Sequence, residues 1–287
     1  MKRKLLISLS VLILIFVVGV WLTGSILSAP ARQSIGEAPR DSGAEDVQFQ
    51  SQSGATVHGW FIAGKRGAGA IILMHGVRAN RLSMLERARF LSAAGFAVLL
   101  FDFQAHGESS GDQITFGYLE SKDAQAAVAF MRTKAPGERI GVIGVSMGGA
   151  ATLIASPPLE VDAMVLEMVY PDLDHAAGNR LSARLGGWAR ILTPLLTRQF
   201  GIRSGVSADA LQPIQRVREI AVPKLFVAGA EDRYTTVEES RQMFNAAAEP
   251  KELWIVEGAG HIDLYTVKPK EYERRVLSFF SSHLESP

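Results

Sequence analysis

Six short apolar runs recur at helix-length intervals through this chain, and that rhythm restricts its fold more than any other feature. They stand in "AGAIILMHG", "FAVLLFD", "RIGVIGV", "VDAMVLEMVY", "PKLFVAGAED" and "KELWIVEGAGH". Segments of helical character separate them, among them "LSMLERARFLSAAG", "YLESKDAQAAVAFMRTKAPG", "MGGAATLIA" and "TVEESRQMFNAAA". A strand that is apolar in succession, not alternately, is buried on both faces. Strands of that kind joined by crossover helices run parallel, with helices on both sides of the sheet. The reading is α/β, with ligands expected at the carboxyl ends of the strands. Upstream, "VQFQSQSGATVHGWFIAG" alternates around Ser53-Gly54 as an antiparallel hairpin does. Downstream, "KEYERRVLSFFSSHL" places Val276, Phe279, Phe280 and Leu284 on one helix face.

The rhythm pauses between Pro171 and about Val222. There Leu181, Leu185, Trp188, Ile191, Leu195 and Leu196 recur at helical spacing. Periodicity identifies the helices but not the surface their stripe meets: a packed helix pair, or a lid over the strand ends. A helical lid insertion is expected at 171–222, within a catalytic domain spanning 47–287. At 287 residues, 47% of them hydrophobic, the chain is long enough for one such domain and a small appendage.

The appendage is N-terminal. After Met-Lys-Arg-Lys, residues Leu5 to Leu27 carry no charge. At 1.5 Å per residue they extend roughly 34 Å, enough for a hydrocarbon core of about 30 Å. Residues 1–27 are therefore expected to be a cytoplasmic tip and transmembrane anchor. A cleaved signal peptide is the rival, because Ala29-Pro30-Ala31 offers small residues at a cleavage site, but its apolar region usually runs only about 7 to 15 residues. Lys2, Arg3 and Lys4 should stay cytoplasmic, which puts the body on the extracytoplasmic side, or outside the cell if the segment is removed. Residues 28–46, small, polar and proline-spotted, read as a linker. The formal net charge is +1 and there is no cysteine, so nucleic acid is not an expected partner, and disulfides, thiol nucleophiles and Cys-ligated metals are excluded.

Gly144-Val145-Ser146-Met147-Gly148 fits G-x-S-x-G between a strand and a helix. A glycine-rich turn would satisfy the bare pattern. As a nucleophile elbow, the turn throws the serine side chain clear of the sheet at a helix N-terminus, where negative charge is favoured. A serine hydroxyl needs a base to take its proton and a carboxylate to orient that base. Of six histidines, His261 in "VEGAGHIDLY", just past the last strand, is the best placed. His58, His175 and His283 read as structural or exposed, His75 as shaping a loop, and His106 as lying in a turn-rich loop. Asp232 in "FVAGAEDRYTT" is the matching acid; Glu231, Asp102 and Asp263 are its rivals. The oxyanion donors would be the backbone N–H groups of Met147 and of Val77 in "LMHGVRAN".

The ordered set "LMHGVRANR", "LLFDFQAHGESSG", "GVSMGG", "VAGAEDRYTT" and "EGAGHIDLY" resembles the α/β-hydrolase superfamily. It is similar more narrowly to the serine-aminopeptidase-like and dienelactone-hydrolase-like branches, including small membrane-anchored bacterial members. The resemblance implies the α/β-hydrolase fold with a mostly parallel eight-stranded sheet, a Ser146, Asp232 and His261 triad, and an oxyanion role for Val77 with Met147. The loop reads H-G-V-R where many lipases have H-G-G-G, which points away from a typical lipase. The expected activity is hydrolysis of a small-molecule ester, thioester or amide through an acyl-enzyme, with no cofactor or metal. Acyl transfer on the same triad is one alternative. Aminopeptidase-like cleavage is another, in which Glu167 and Asp172 would receive an α-amino group, although capping or solvated roles are the more ordinary ones for both. A non-catalytic, membrane-tethered binding module is the third.

Overall fold

A computed structural model of the chain describes residues 2–40 and 42–285. Met1, Ser286 and Pro287, at the outer ends of the expected anchor and catalytic domain, and Asp41 of the expected linker lie outside the described residues.

Eight strands form one sheet: β1 (Ala44–Gln50), β2 (Thr56–Ile62), β3 (Ala70–Met74), β4 (Ala97–Phe101), β5 (Ile140–Val145), β6 (Ala163–Glu167), β7 (Lys224–Gly229) and β8 (Lys251–Val256). Their spatial order is β8-β7-β6-β5-β3-β4-β2-β1. The hairpin strands β1 and β2 are antiparallel, β2 meets β4 antiparallel, and every other pairing is parallel. At the centre, Leu73 of β3 lies beside Leu100 of β4 and Ile143 of β5.

Successive strand residues feed opposite faces, so the sheet separates two cores. Ile72, Met74, Leu99 and Val142 pack on one side with α3 (Tyr118–Lys134), α4 (Met147–Ile154) and α8 (Val237–Ala246). Ile71, Leu73, Val98 and Ile143 pack on the other with α2 (Leu85–Ala94) and α10 (Pro269–Leu284), the latter contributing the expected Val276, Phe279, Phe280 and Leu284.

Helix α1 (Lys2–Ser28) carries a stretch, Leu6–Ser28, long and apolar enough to cross a membrane. The segment after it is tied to the domain more firmly than a linker. Ala31 and Arg32 pair in parallel with His106 and Gly107, Glu108 accepts the N–H groups of Ile35 and Gly36, and β1 starts at Ala44, three residues before the expected boundary. A two-residue pairing leaves no periodicity in a sequence, and that is why the segment reads as linker.

The insertion after β6 holds α5 (Leu173–Leu185), a 3-10 turn at Gly187–Leu192, α6 (Thr193–Ser204) and the short α7 (Pro213–Arg216). Its apolar stripe divides. Leu181, Leu185 and Leu196 line a cavity over the strand ends, whereas Trp188 and Ile191 are 67% and 78% exposed.

A buried ionic cluster braces the second core. Arg87 of α2 bonds both carboxylate oxygens of Glu167 at the end of β6, at 3.2 and 2.8 Å, and also meets Tyr272 of α10 and Asp263. Removing one partner of a buried pair leaves an uncompensated charge, so Arg87→Ala is expected to cost about 3–5 kcal/mol in urea-unfolding free energy. The double change Arg87→Met with Glu167→Gln should recover part of that loss.

Candidate active site

Ser146 occupies the single residue between β5 and α4. Its φ is 50° and ψ −108°, a conformation that costs a non-glycine residue of order 1–3 kcal/mol and persists only where the surroundings impose it. They do so here on both sides. A Cβ on Gly144 would lie 2.6 Å from the Cα of Gly149, and one on Gly148 would lie 2.8 Å from the carbonyl oxygen of His75. The motif glycines are therefore demanded by close backbone approach. The N–H of Ser146 donates to the carbonyl of Glu167 at 2.8 Å, locking the turn against β6. The hydroxyl itself is buried and has no hydrogen-bond partner among the described residues.

Asp232 and His261 come together from the loops after β7 and β8. His261 Nδ1–H donates to Asp232 Oδ2 at 2.7 Å, and the N–H groups of Tyr234 and Thr235 donate to Oδ1 at 2.7 and 2.9 Å. The Asp232 side chain is fully buried, while that of His261 retains 15% exposure. With Nδ1 donating, the ring presents Nε2 as its free nitrogen. Tyr234 packs edge-on against the imidazole, at 5.5 Å between centroids.

The other candidates are committed elsewhere. Asp102 is paired with Arg81 and accepts the N–H of Glu108. Asp263 caps α9 (Leu264–Val267) and pairs with Arg87, and Glu231 is exposed. Glu167 lies in the buried Arg87 cluster, not at a free strand end, and Asp172 caps α5 while accepting the ring N–H of His175. His283 donates to the Phe279 carbonyl on α10, and His58 is a half-buried residue of β2. Among the described residues no three His, Asp or Glu side chains gather as a metal-ion site.

Two buried histidines shape the loop carrying Val77. His75 Nδ1–H donates to the Gly76 carbonyl at 2.7 Å and its Nε2 accepts the Phe103 N–H at 3.0 Å. His106 Nδ1–H donates to the Gln104 carbonyl and its Nε2 accepts the N–H of Arg78, whose φ is 60°. Neither N–H of Val77 nor N–H of Met147 donates to another described residue. The role of His106, one residue removed from Val77 through Arg78, has no signal in the sequence.

Val77 and Met147, the latter next to Ser146, line a cavity of about 510 Å³ together with α5 and α6 of the insertion and Thr23, Gly24 and Leu27 of α1. That is within the range of small-molecule sites, about 300–1,000 Å³.

The sequence signature of the alpha/beta hydrolase family matches residues 71–275, which takes in β3, the elbow, Asp232 and His261. The chain belongs to the alpha/beta hydrolase family. Among curated relatives, the uncharacterized protein YqkD of Bacillus subtilis (strain 168) is 27% identical over 242 residues, 82% of this chain and 79% of that protein. YfhR of Salmonella typhi is 24% identical over 297 residues, covering 99% of this chain and 98% of that one. Among solved structures, the Pyrococcus furiosus esterase Pf2001 superposes with a TM-score of 0.73 at 26% identity, over 89% of this chain and 99% of its own. The alpha/beta hydrolase fold and the esterase likeness make this chain a hydrolase.

Burial, with His106 adding a smaller effect, pushes the His75 pKa down from 6.5 to about 3. The unfolded chain, with an ordinary histidine, binds the extra proton between these values. The stability contributed by the neutral His75 is therefore fully present above about pH 6.5 and is lost as pH falls toward about 3. His75→Gln is expected to be less stable at about pH 8 but to show a shallower acid decline in its urea midpoint.

Proposed function

We propose that this hydrolase cleaves a carboxylic ester through Ser146, His261 and Asp232. The observation that carries the reading is the unpartnered Ser146 hydroxyl, held at a strained strand-to-helix turn whose next residue, Met147, lines the cavity. The Asp232–His261 pair and the likeness to an esterase support it.

His261 Nε2 takes the Ser146 proton as Oγ bonds to the carbonyl carbon, and the oxyanion rests on the N–H groups of Val77 and Met147. His261 returns the proton to the departing alcohol as its C–O bond breaks. Water, deprotonated by the same nitrogen, then releases the acid and restores the serine. Ser146 Oγ makes no hydrogen bond to His261 among the described residues, and the proton transfer requires the two to come within hydrogen-bond reach in the Michaelis complex. Thioesters and amides react by the same steps, and acyl transfer replaces water with an alcohol or amine. Engagement of Glu167 by Arg87 and of Asp172 by the α5 cap leaves neither free for an α-amino group, which favours ester over aminopeptide.

The apolar helix α1 is read as an uncleaved anchor with the domain extracytoplasmic, following Lys2, Arg3 and Lys4. Cleavage after Ala31 would remove one wall of the cavity and half of the pairing with His106 and Gly107. The mass of the intact protein recovered from membranes should therefore correspond to the full chain; a product lacking the first 31 residues or so would overturn the anchor.

A fluorophosphonate probe is expected to label the wild type and not Ser146→Ala. Labelling that survives in the variant would remove Ser146 as nucleophile, and an unlabelled wild type would favour a binding module. Asp232→Asn should lower kcat by on the order of 10³–10⁴-fold with p-nitrophenyl acetate, with little change in KM.

A further inference from the structure

The α1 helix does more than precede the domain: its last two turns are built into it. Gln199 of α6 donates to the Val20 carbonyl at 2.8 Å. Arg203 donates to the Trp21 carbonyl at 3.1 Å and to Ser25 Oγ, with its guanidinium over the Trp21 ring. Gly24 lets α6 come close, because a Cβ there would lie 2.5 Å from the Gln199 side chain. Arg78, next to Val77, donates to the Ile26 and Ala29 carbonyls at 3.2 Å each. The same stretch supplies Thr23, Gly24 and Leu27 to the cavity wall.

The depth of these contacts follows from length. The apolar run from Leu5 to Leu27 extends roughly 34 Å against a hydrocarbon core of about 30 Å, so less than a turn is left over. Val20 to Leu27 cannot all stand clear of the bilayer, and α6, which touches them, must lie at the level of the outer headgroups. The surface of the insertion is made for that depth. Trp188, Ile191 and Ile202 are exposed at 67%, 78% and 76%, an expensive display in water. Between Leu173 and Ser204 there are five arginines and one acid, Asp174. Tryptophan and arginine around an apolar surface are the composition of a membrane interface, and excess positive charge suits anionic lipid.

We propose that the insertion sits in the bilayer surface and that α1 is one wall of an acyl-chain pocket. The substrate class is then a long-chain acyl ester dissolved in the membrane, taken up between α1 and α6 without crossing water. The substrate assignment rests on the serine-hydrolase reading; the placement of the insertion does not.

The test uses the full-length protein in phosphatidylglycerol vesicles. Leu27→Trp fills the cavity from the anchor side. It is expected to lower kcat/KM for p-nitrophenyl palmitate by about ten-fold or more beyond any effect on p-nitrophenyl acetate, since acyl-pocket contacts of this size carry such factors. Leu12→Trp, outside the cavity, should alter neither. Equal effects of Leu27→Trp on both esters, or none, would overturn the pocket. Acetate hydrolysis that is absent from the wild type, or persists in Ser146→Ala, would instead overturn the serine-hydrolase reading and with it the substrate. The placement has its own readout. Because the chain has no cysteine, Ile202→Cys can carry a single environment-sensitive fluorophore. Blue-shifted emission, quenched by brominated phosphatidylglycerol, is expected there and not for Glu252→Cys on β8; a water-like spectrum at position 202 would place the insertion off the bilayer.

Discussion

A chain leaving a buried strand for a buried helix must reverse direction at one residue, and in this protein that residue is Ser146. The turn closes only because Gly144 and Gly148 let backbone pass at contact distance and because the Ser146 N–H is held by the Glu167 carbonyl. Glu167 is in turn fixed by Arg87 and Tyr272, so the position of one hydroxyl depends on an ionic cluster buried on the opposite face of the sheet. Strain at the site is sustained by packing elsewhere, which is how a non-glycine residue remains at positive φ.

The site is otherwise a set of loops with separate supports. Asp232 is held by two backbone N–H groups and His261 by Asp232 and Tyr234. The Val77 loop rests on His75 and His106, both kept neutral chiefly by burial. Neutrality matters because each ring must donate at Nδ1 and accept at Nε2, a pattern that protonation destroys. The acid sensitivity expected from His75 and the geometry of the Val77 loop thus share one cause.

Much of the fold was legible in the sequence because the central strands are buried on both faces, which writes them as unbroken apolar runs. Candidate residues at strand ends were legible for the same reason, and Asp232 and His261 do meet. What periodicity could not carry is the identity of the surface that a helix meets. The stripe from Leu181 to Leu196 reads as one face but divides between cavity and exterior. Asp172 caps α5, as a residue of its type at that place would, whereas the sequence has no signal for the burial of Glu167 against Arg87. Gly24, Gln199 and Arg203 carry no pattern at all, since a glycine in an apolar helix and polar residues in an insertion are ordinary.

Gly24 has a consequence for how the N-terminal helix can change. An apolar segment that only tethers tolerates any substitution preserving hydropathy, because lipid has no fixed shape to violate. From Val20 onward one face of this helix, carrying Gly24, Leu27 and Ser28, meets protein, while Leu22 and Ile26 stay exposed; the residues of that face answer to complementarity as those of a core do. The first half of α1 is free to drift in sequence, whereas the last two turns are bound to the catalytic domain they touch. A foreign helix of equal length and greasiness would keep the hydropathy and lose the fit.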